Sequence, residues 1–135
     1  MQTVQILSIG QLEEGQDHIL LLKETNGPRI LPIVIGPYEA AAIALGVERA
    51  AAPRPLTHDL LLHVIGRLGG ELQRVVIHDV RDETYICQLE VKTERGIMEI
   101  DCRPSDAIAV AVRAGVPIVV TEEVLAASAV VPEED

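Results

Sequence analysis

Three acidic residues stand where the chain turns into a helix. Glu39 follows Gly36-Pro37, Asp59 follows Thr57-His58, and Asp106 follows Arg103-Pro104-Ser105. Arg54 and Arg103 sit beside them, each followed by proline, and His58 directly precedes Asp59. Carboxylates, guanidinium groups and an imidazole at helix N-termini are the parts of an anion or metal site. The helix start supplies free N–H groups and positive potential, arginine binds carboxylate or phosphate bidentately, and histidine moves protons near neutral pH. The same residues also suit plain architecture. Thr57 and Ser105 are capping residue types, and acids in a first turn complement the helix dipole. Sequence leaves both accounts open, because they differ in whether the three turns meet in space.

Other chemistry is missing. The chain has no phosphate-cradling Gly-rich loop with Lys and Ser/Thr, and no GxGxxG, HExxH or GxSxG. His58 and His63 are five residues apart and fall on different helix faces, which excludes a helical metal pair. Asp79 followed by Glu90-Val91-Lys92 imitates a metal-dependent nuclease hairpin. The alternation of Tyr85, Cys87, Leu89 and Val91 instead turns Gln88, Glu90 and Lys92 outward as a solvated face.

These residues are positioned by elements legible from periodicity and punctuation. Strands are expected over 4–9, 19–22 and 30–35, with a polar turn over 10–17 and a hairpin at Asn26-Gly27-Pro28. The third strand is apolar on both faces and is expected to be central, although Pro32 inside it points to a bulge or a sheet edge. Helices follow over 39–48 and 57–68, the second closed by Gly69-Gly70. Strands over 72–80, 84–93 and 97–102 then lead to a helix over 105–114, a short apolar segment over 116–120 and a final helix over 121–127. The element order predicts an α+β fold, one compact domain over 1–129 with antiparallel meanders, and an internal duplication of a β-β-β-α-α unit. Residues 130–135 are expected to be a frayed acidic tail.

Composition narrows the class. The 135 residues include 48% hydrophobic ones, enough for a single core. Two Tyr with no Phe or Trp leave that core to Ile, Leu, Val and Ala, and argue against platforms that stack several bases. A net charge of -10 argues against bulk attraction to a polyphosphate and predicts weak, salt- and metal-dependent binding of any nucleic acid. Nine Arg to two Lys is a bias toward bidentate pairing. Two cysteines without a CxxC motif fit reduced thiols in the cytoplasm, and neither a signal peptide nor a membrane-spanning run is expected. The apolar helix surface predicts a homo-oligomer.

The segments Ile30-Leu31-Pro32-Ile33-Val34-Ile35-Gly36-Pro37-Tyr38-Glu39-Ala40, Arg54-Pro55-Leu56-Thr57-His58-Asp59-Leu60-Leu61 and Arg103-Pro104-Ser105-Asp106-Ala107-Ile108-Ala109 together resemble the signature of the bifunctional nuclease (BFN) domain family. The resemblance covers nearly the whole chain. It implies a compact α+β domain, a homodimer and phosphodiester hydrolysis of DNA or RNA. Its charged signature positions map to Glu39, Arg54, His58, Asp59, Arg103 and Asp106. On that basis Glu39, Asp59 and Asp106 are expected to hold a divalent ion such as Mg²⁺ or Mn²⁺, His58 to act as general acid or base, and Arg54 and Arg103 to clamp the phosphate. The rival expectation is a non-catalytic domain whose same segments form a groove for a ligand or a protein, with the Arg–acid pairs serving architecture.

Overall fold

A computed structural model describes residues 1–12 and 16–133. Part of the turn expected over 10–17 and the last two residues of the expected tail lie outside the described residues. The chain runs β1 (Gln2–Gln11), β2 (His18–Glu24), β3 (Ile30–Ile35), α1 (Pro37–Val47), α2 (Thr57–Arg67), β4 (Glu71–Arg81), β5 (Thr84–Thr93), β6 (Gly96–Cys102), α3 (Pro104–Ala114), β7 (Ile118–Val120) and α4 (Glu122–Ser128). This is the expected α+β domain. Its strands form one seven-stranded sheet in the order β3-β2-β1-β7-β4-β5-β6. All neighbours are antiparallel except β4 and β7. Each meander starts at the middle of the sheet and runs outward, so the two halves share their strand order. β7 has no counterpart in the first half, where α1 passes to α2 through a loop, so the second half departs from the expected β-β-β-α-α unit.

The third strand is a correction. β3 is an edge strand and not a central one. Val34 is 60% exposed, so its apolar side chain faces outward without a covering layer. Pro32 carried the better signal, because an edge strand does not need a second ladder of N–H donors. Among the described residues the outer side of β3 is bridged only at Ile30, which exchanges both backbone hydrogen bonds with Val130 at 2.8 Å. The first residue of the expected frayed tail is thereby pinned to the sheet.

The sheet is strongly curled. β3 and β5 lie five strand spacings apart, about 24 Å in a flat sheet. Nevertheless the Tyr85 hydroxyl at the start of β5 donates to the Pro32 carbonyl in β3 at 3.0 Å. The curl wraps α3, whose Ala107, Ile108, Ala109, Val110 and Ala111 are all at most 1% exposed. Small residues at alternate positions let both the sheet and α1 approach this helix closely. Gly46 in α1 belongs to the same device: a Cβ there would stand 2.6 Å from Arg113 Nη1 and 2.8 Å from Val112 Cγ2.

The aliphatic core expected from composition forms around α3, with Leu20, Leu22, Leu31, Ile33, Val75 and Ile77 beneath it. By contrast, α2 buries none of its residues completely. Leu62 and Ile65 pack on the core, while Leu60, Leu61, Val64 and Leu68 stay exposed. Among the described residues no helix is long and apolar enough to cross a membrane.

Candidate functional site

The starts of α1, α2 and α3 do meet. None of the three is capped by a side chain at its N-cap position, which is Gly36, Leu56 and Arg103 respectively. Thr57 and Ser105, the residue types expected to cap, lie one and two residues inside their helices. In α2 the acid of the first turn does that work: Asp59 Oδ2 accepts from the Leu56 N–H at 2.9 Å. In α1 the Glu39 carboxylate folds back over Gly36, where a Cβ would stand 2.8 Å from Oε1.

Asp106 is the hub. Its Oδ2 accepts from Arg103 Nε at 2.9 Å, and its Oδ1 from Arg103 Nη2 at 3.1 Å. His58 Nε2 bonds the same Oδ1 at 3.0 Å. Arg103 Nη1 also reaches Glu39 Oε1 at 3.8 Å. Arg103 remains 65% exposed, whereas the His58 ring is 12% exposed and its Nδ1 is buried without a partner. The arginine therefore faces solvent, and the imidazole is committed to Asp106.

Asp59 turns elsewhere. Its Oδ1 accepts from Arg113 Nε at 3.0 Å, and Arg113 Nη1 donates to the Ala109 carbonyl at 2.9 Å. Arg113, only 7% exposed, was not singled out in the sequence. Its signal was the spacing: 106 and 113 are seven apart, two turns along one face of α3, opposite the consecutive pair His58-Asp59 of α2. Arg54 lies exposed in the link before α2 and is not among the residues lining the groove described below.

Glu39, His58, Arg103, Asp106 and Arg113 thus line one groove of about 490 Å³, together with Tyr38. A larger cleft of about 940 Å³ opens on the other side of Glu39 and Arg103, walled by β3, the β4–β5 turn and the start of α3. The two hollows share the Glu39–Arg103 pair as their common wall.

The carboxylates Glu39, Asp59 and Asp106 do not make a metal-binding trio here. Among the described residues no three His, Cys, Asp or Glu side chains are grouped to hold a metal ion. Both Asp59 oxygens are engaged by Arg113 and Leu56, and both Asp106 oxygens by Arg103 and His58. A divalent ion does not fit this donor set. The Asp79 and Glu90 pattern is likewise occupied by arginines, Arg81 at 2.9 Å and Arg74 at 2.8 Å, although Glu90 is only 16% exposed and less solvated than expected. A feature hidden in the sequence is that Cys87 and Cys102 are direct partners across β5 and β6. Both are free, and burial pushes the Cys102 thiol up to about 12 and the Cys87 thiol higher still.

The Arg103 hydrogen bond holds Asp106 below the ordinary carboxylate range, against the opposing effect of burial and with help from His58. A carboxylate whose folded value lies below its unfolded one stabilises the fold above the unfolded value, about 3.9, and loses that contribution as pH falls through the folded value. Acidification from about pH 4 downward is therefore expected to lower the melting temperature slightly, because the exposed Arg103 side of the pair is screened by water. Asp106→Asn should flatten that dependence, as calorimetry across acid buffers would show.

A family model described as the bifunctional nuclease domain matches residues 20–133. An uncharacterized protein of Mycobacterium tuberculosis (strain ATCC 25618 / H37Rv) is 44% identical over 135 residues, 99% of this chain and 80% of its own. Bifunctional nuclease 2 of Oryza sativa subsp. japonica is 30% identical over 106 residues, 76% of this chain and 33% of its own. Bifunctional nuclease 1 of Arabidopsis thaliana is 27% identical over 118 residues, 84% of this chain and 36% of its own. The chain spans only about a third of these plant relatives. The matched region takes in all three helix starts and the groove they build, and on that footing the chain belongs to the bifunctional nuclease domain family.

Proposed function

We propose that the groove hydrolyses phosphodiester bonds of nucleic acid, with Arg103 as the phosphate-binding group. The supporting observation is the place of Arg103, solvent-exposed on the wall between two hollows and aimed by Asp106. The starts of α1 and α3, whose N-cap residues make no side-chain cap bond, add positive potential beside it. In the reaction, Arg103 binds the phosphate oxygens and stabilises charge as water attacks phosphorus. Glu39, next to Arg103 but not clamped by it, takes the proton of that water. The P–O bond to the leaving sugar breaks, and solvent protonates the departing oxygen. His58 acts through Asp106 as a positioning residue, since its Nε2 is bound there and its Nδ1 is buried. Arg54, on the exposed approach to the groove, would guide the strand electrostatically.

The test is cleavage of single-stranded DNA and of RNA by highly purified protein in magnesium-containing buffer. The double change Glu39→Gln, Asp106→Asn is assayed from an identical preparation. Loss of cleavage of at least about 100-fold in the double variant is expected. Equal cleavage by both proteins would identify a contaminating nuclease and leave the rival reading, a non-catalytic binding domain. Arg113, buried and paired with the partly exposed Asp59, favours architecture for that part of the cluster under either reading.

The domain is further proposed to work as a homodimer in the cytoplasm. Leu60, Leu61, Val64 and Leu68 leave α2 with an apolar exposed stripe that self-association would cover, and two free thiols suit a reducing compartment. Light scattering at micromolar concentration is expected to give twice the chain mass, and Leu61→Glu with Val64→Glu to give the chain mass.

A further inference from the structure

We propose that Tyr38 stacks one base of the strand whose phosphate lies at Arg103, so that the groove takes single-stranded nucleic acid; this rests on the nuclease reading above. With two Tyr and no Phe or Trp, the fully buried core holds no aromatic ring; Tyr85 packs against it part-buried, and Tyr38 does not. Each of them borders one of the two hollows that meet at Arg103, Tyr85 the larger and Tyr38 the smaller. Tyr85 has a structural task, closing the curled sheet through Pro32. Tyr38 has none of that kind: it is 86% exposed.

Its position in α1 explains little of that choice. Pro37 sets the first helical turn and Glu39 covers the N-terminus, so any polar residue would serve between them. What a ring adds there is a flat face next to Glu39, whose carboxylate is 3.8 Å from Arg103. Besides Tyr38 and Glu39, α1 lends the groove Ala41, Ala42 and Leu45, while Arg103, Asp106 and Arg113 come from α3 and its N-cap. A nucleotide has an apolar base face and an anionic phosphate. A single ring holds a single base, which agrees with the scarcity of aromatics that argues against longer stacking platforms. The base must expose a face to reach the ring, and a duplex keeps its base faces covered.

The absence of Trp makes the two tyrosines the protein's emitting groups, and stacking on a base quenches tyrosine emission. The full chain, Tyr38→Phe and Tyr38→Ala are titrated with a short single-stranded oligothymidylate and with its duplex. Emission reads the stacking, and anisotropy of a labelled oligonucleotide reads affinity. Wild type is expected to lose a large part of its emission on binding the single strand, with that loss absent in Tyr38→Phe. Tyr38→Ala should bind about tenfold more weakly, Tyr38→Phe within about twofold of wild type, and the duplex more weakly than the single strand. Unchanged affinity in Tyr38→Ala, or binding without loss of wild-type emission, overturns the proposal, as does failure to bind the single strand. Tyr38-dependent binding without cleavage would defeat the nuclease reading and keep the stacking site. Cleavage with Tyr38-independent binding would do the opposite. The exposure of Tyr38 lets both variants fold, and their melting temperatures verify it.

Discussion

Asp59→Ala is expected to lower the unfolding free energy by about 3 kcal/mol, the largest single-residue stability loss among the site residues. The substitution strips the carboxylate from Arg113, which is 7% exposed, and leaves its guanidinium with the Ala109 carbonyl. It also removes the acceptor for the Leu56 N–H at the start of α2. Breaking a buried pair from one side usually costs about 3–5 kcal/mol, and the 37% exposure of Asp59 places this case at the lower end. With an unfolding entropy near 2.1 cal/mol/K per residue, the melting temperature should fall by about 10 °C. α2 has no fully buried residue to compensate, since its docking relies on this pair and on His58–Asp106 as well as on Leu62 and Ile65. Arg113→Met should cost less, because it keeps the aliphatic packing and leaves behind a carboxylate that water can reach. The double variant should recover much of the Asp59→Ala loss, a coupling that separates ion pairing from packing. Thermal denaturation of the four proteins measures it. A fall of under about 3 °C in Asp59→Ala would mean that Arg113 is not held by this pair.

Arg103→Ala is expected to behave oppositely, with cleavage reduced about 100- to 1000-fold and stability nearly intact. Arg103 is 65% exposed, so its ion pairs with Asp106 and Glu39 are screened by water and contribute little to folding. Its value in a reaction is larger, because it is the exposed cation at the wall between the two hollows. Asp106 keeps its bond to His58 in the variant, which limits local collapse. Arg103→Lys should recover only a small part of the activity, because an ammonium group cannot reproduce the two-pronged geometry toward carboxylate or phosphate. Binding and cleavage of a labelled oligonucleotide, measured with the melting temperature, separate the outcomes. Retained cleavage in Arg103→Ala would remove this residue from the chemistry, and a loss of cleavage matched by unfolding would make it architectural.

The local elements were legible because each is written in local rules. Pro37 and Pro104 mark the first turns of α1 and α3, Gly69-Gly70 follows the end of α2, and alternation over β5 sets which side chains enter the core. The chemical types of the candidate site were legible too, since helix starts followed by acids attract attention wherever they occur. Partnership was not legible. Asp59 and Asp106 read alike in sequence, yet one pairs with buried Arg113 and the other with exposed Arg103. The Arg103–Asp106 pair is local, three residues apart, whereas the Asp59–Arg113 pair and the His58–Asp106 bond are made by how α2 meets α3, 48 to 54 residues away along the chain. The edge position of β3 was misjudged for a related reason: apolar residues on both faces record burial averaged over a strand, whereas sheet order depends on which strands find each other. The insertion of β7 between β1 and β4, the curl that brings Tyr85 to Pro32, and the opposition of Cys87 to Cys102 are likewise long-range pairings. Sequence by itself determined the kind of elements and the kind of chemistry, because propensity, capping and charge act over a few residues. Only the tertiary structure decided which charges are neutralised and which face solvent, because that depends on the crossing of helices and the order of strands.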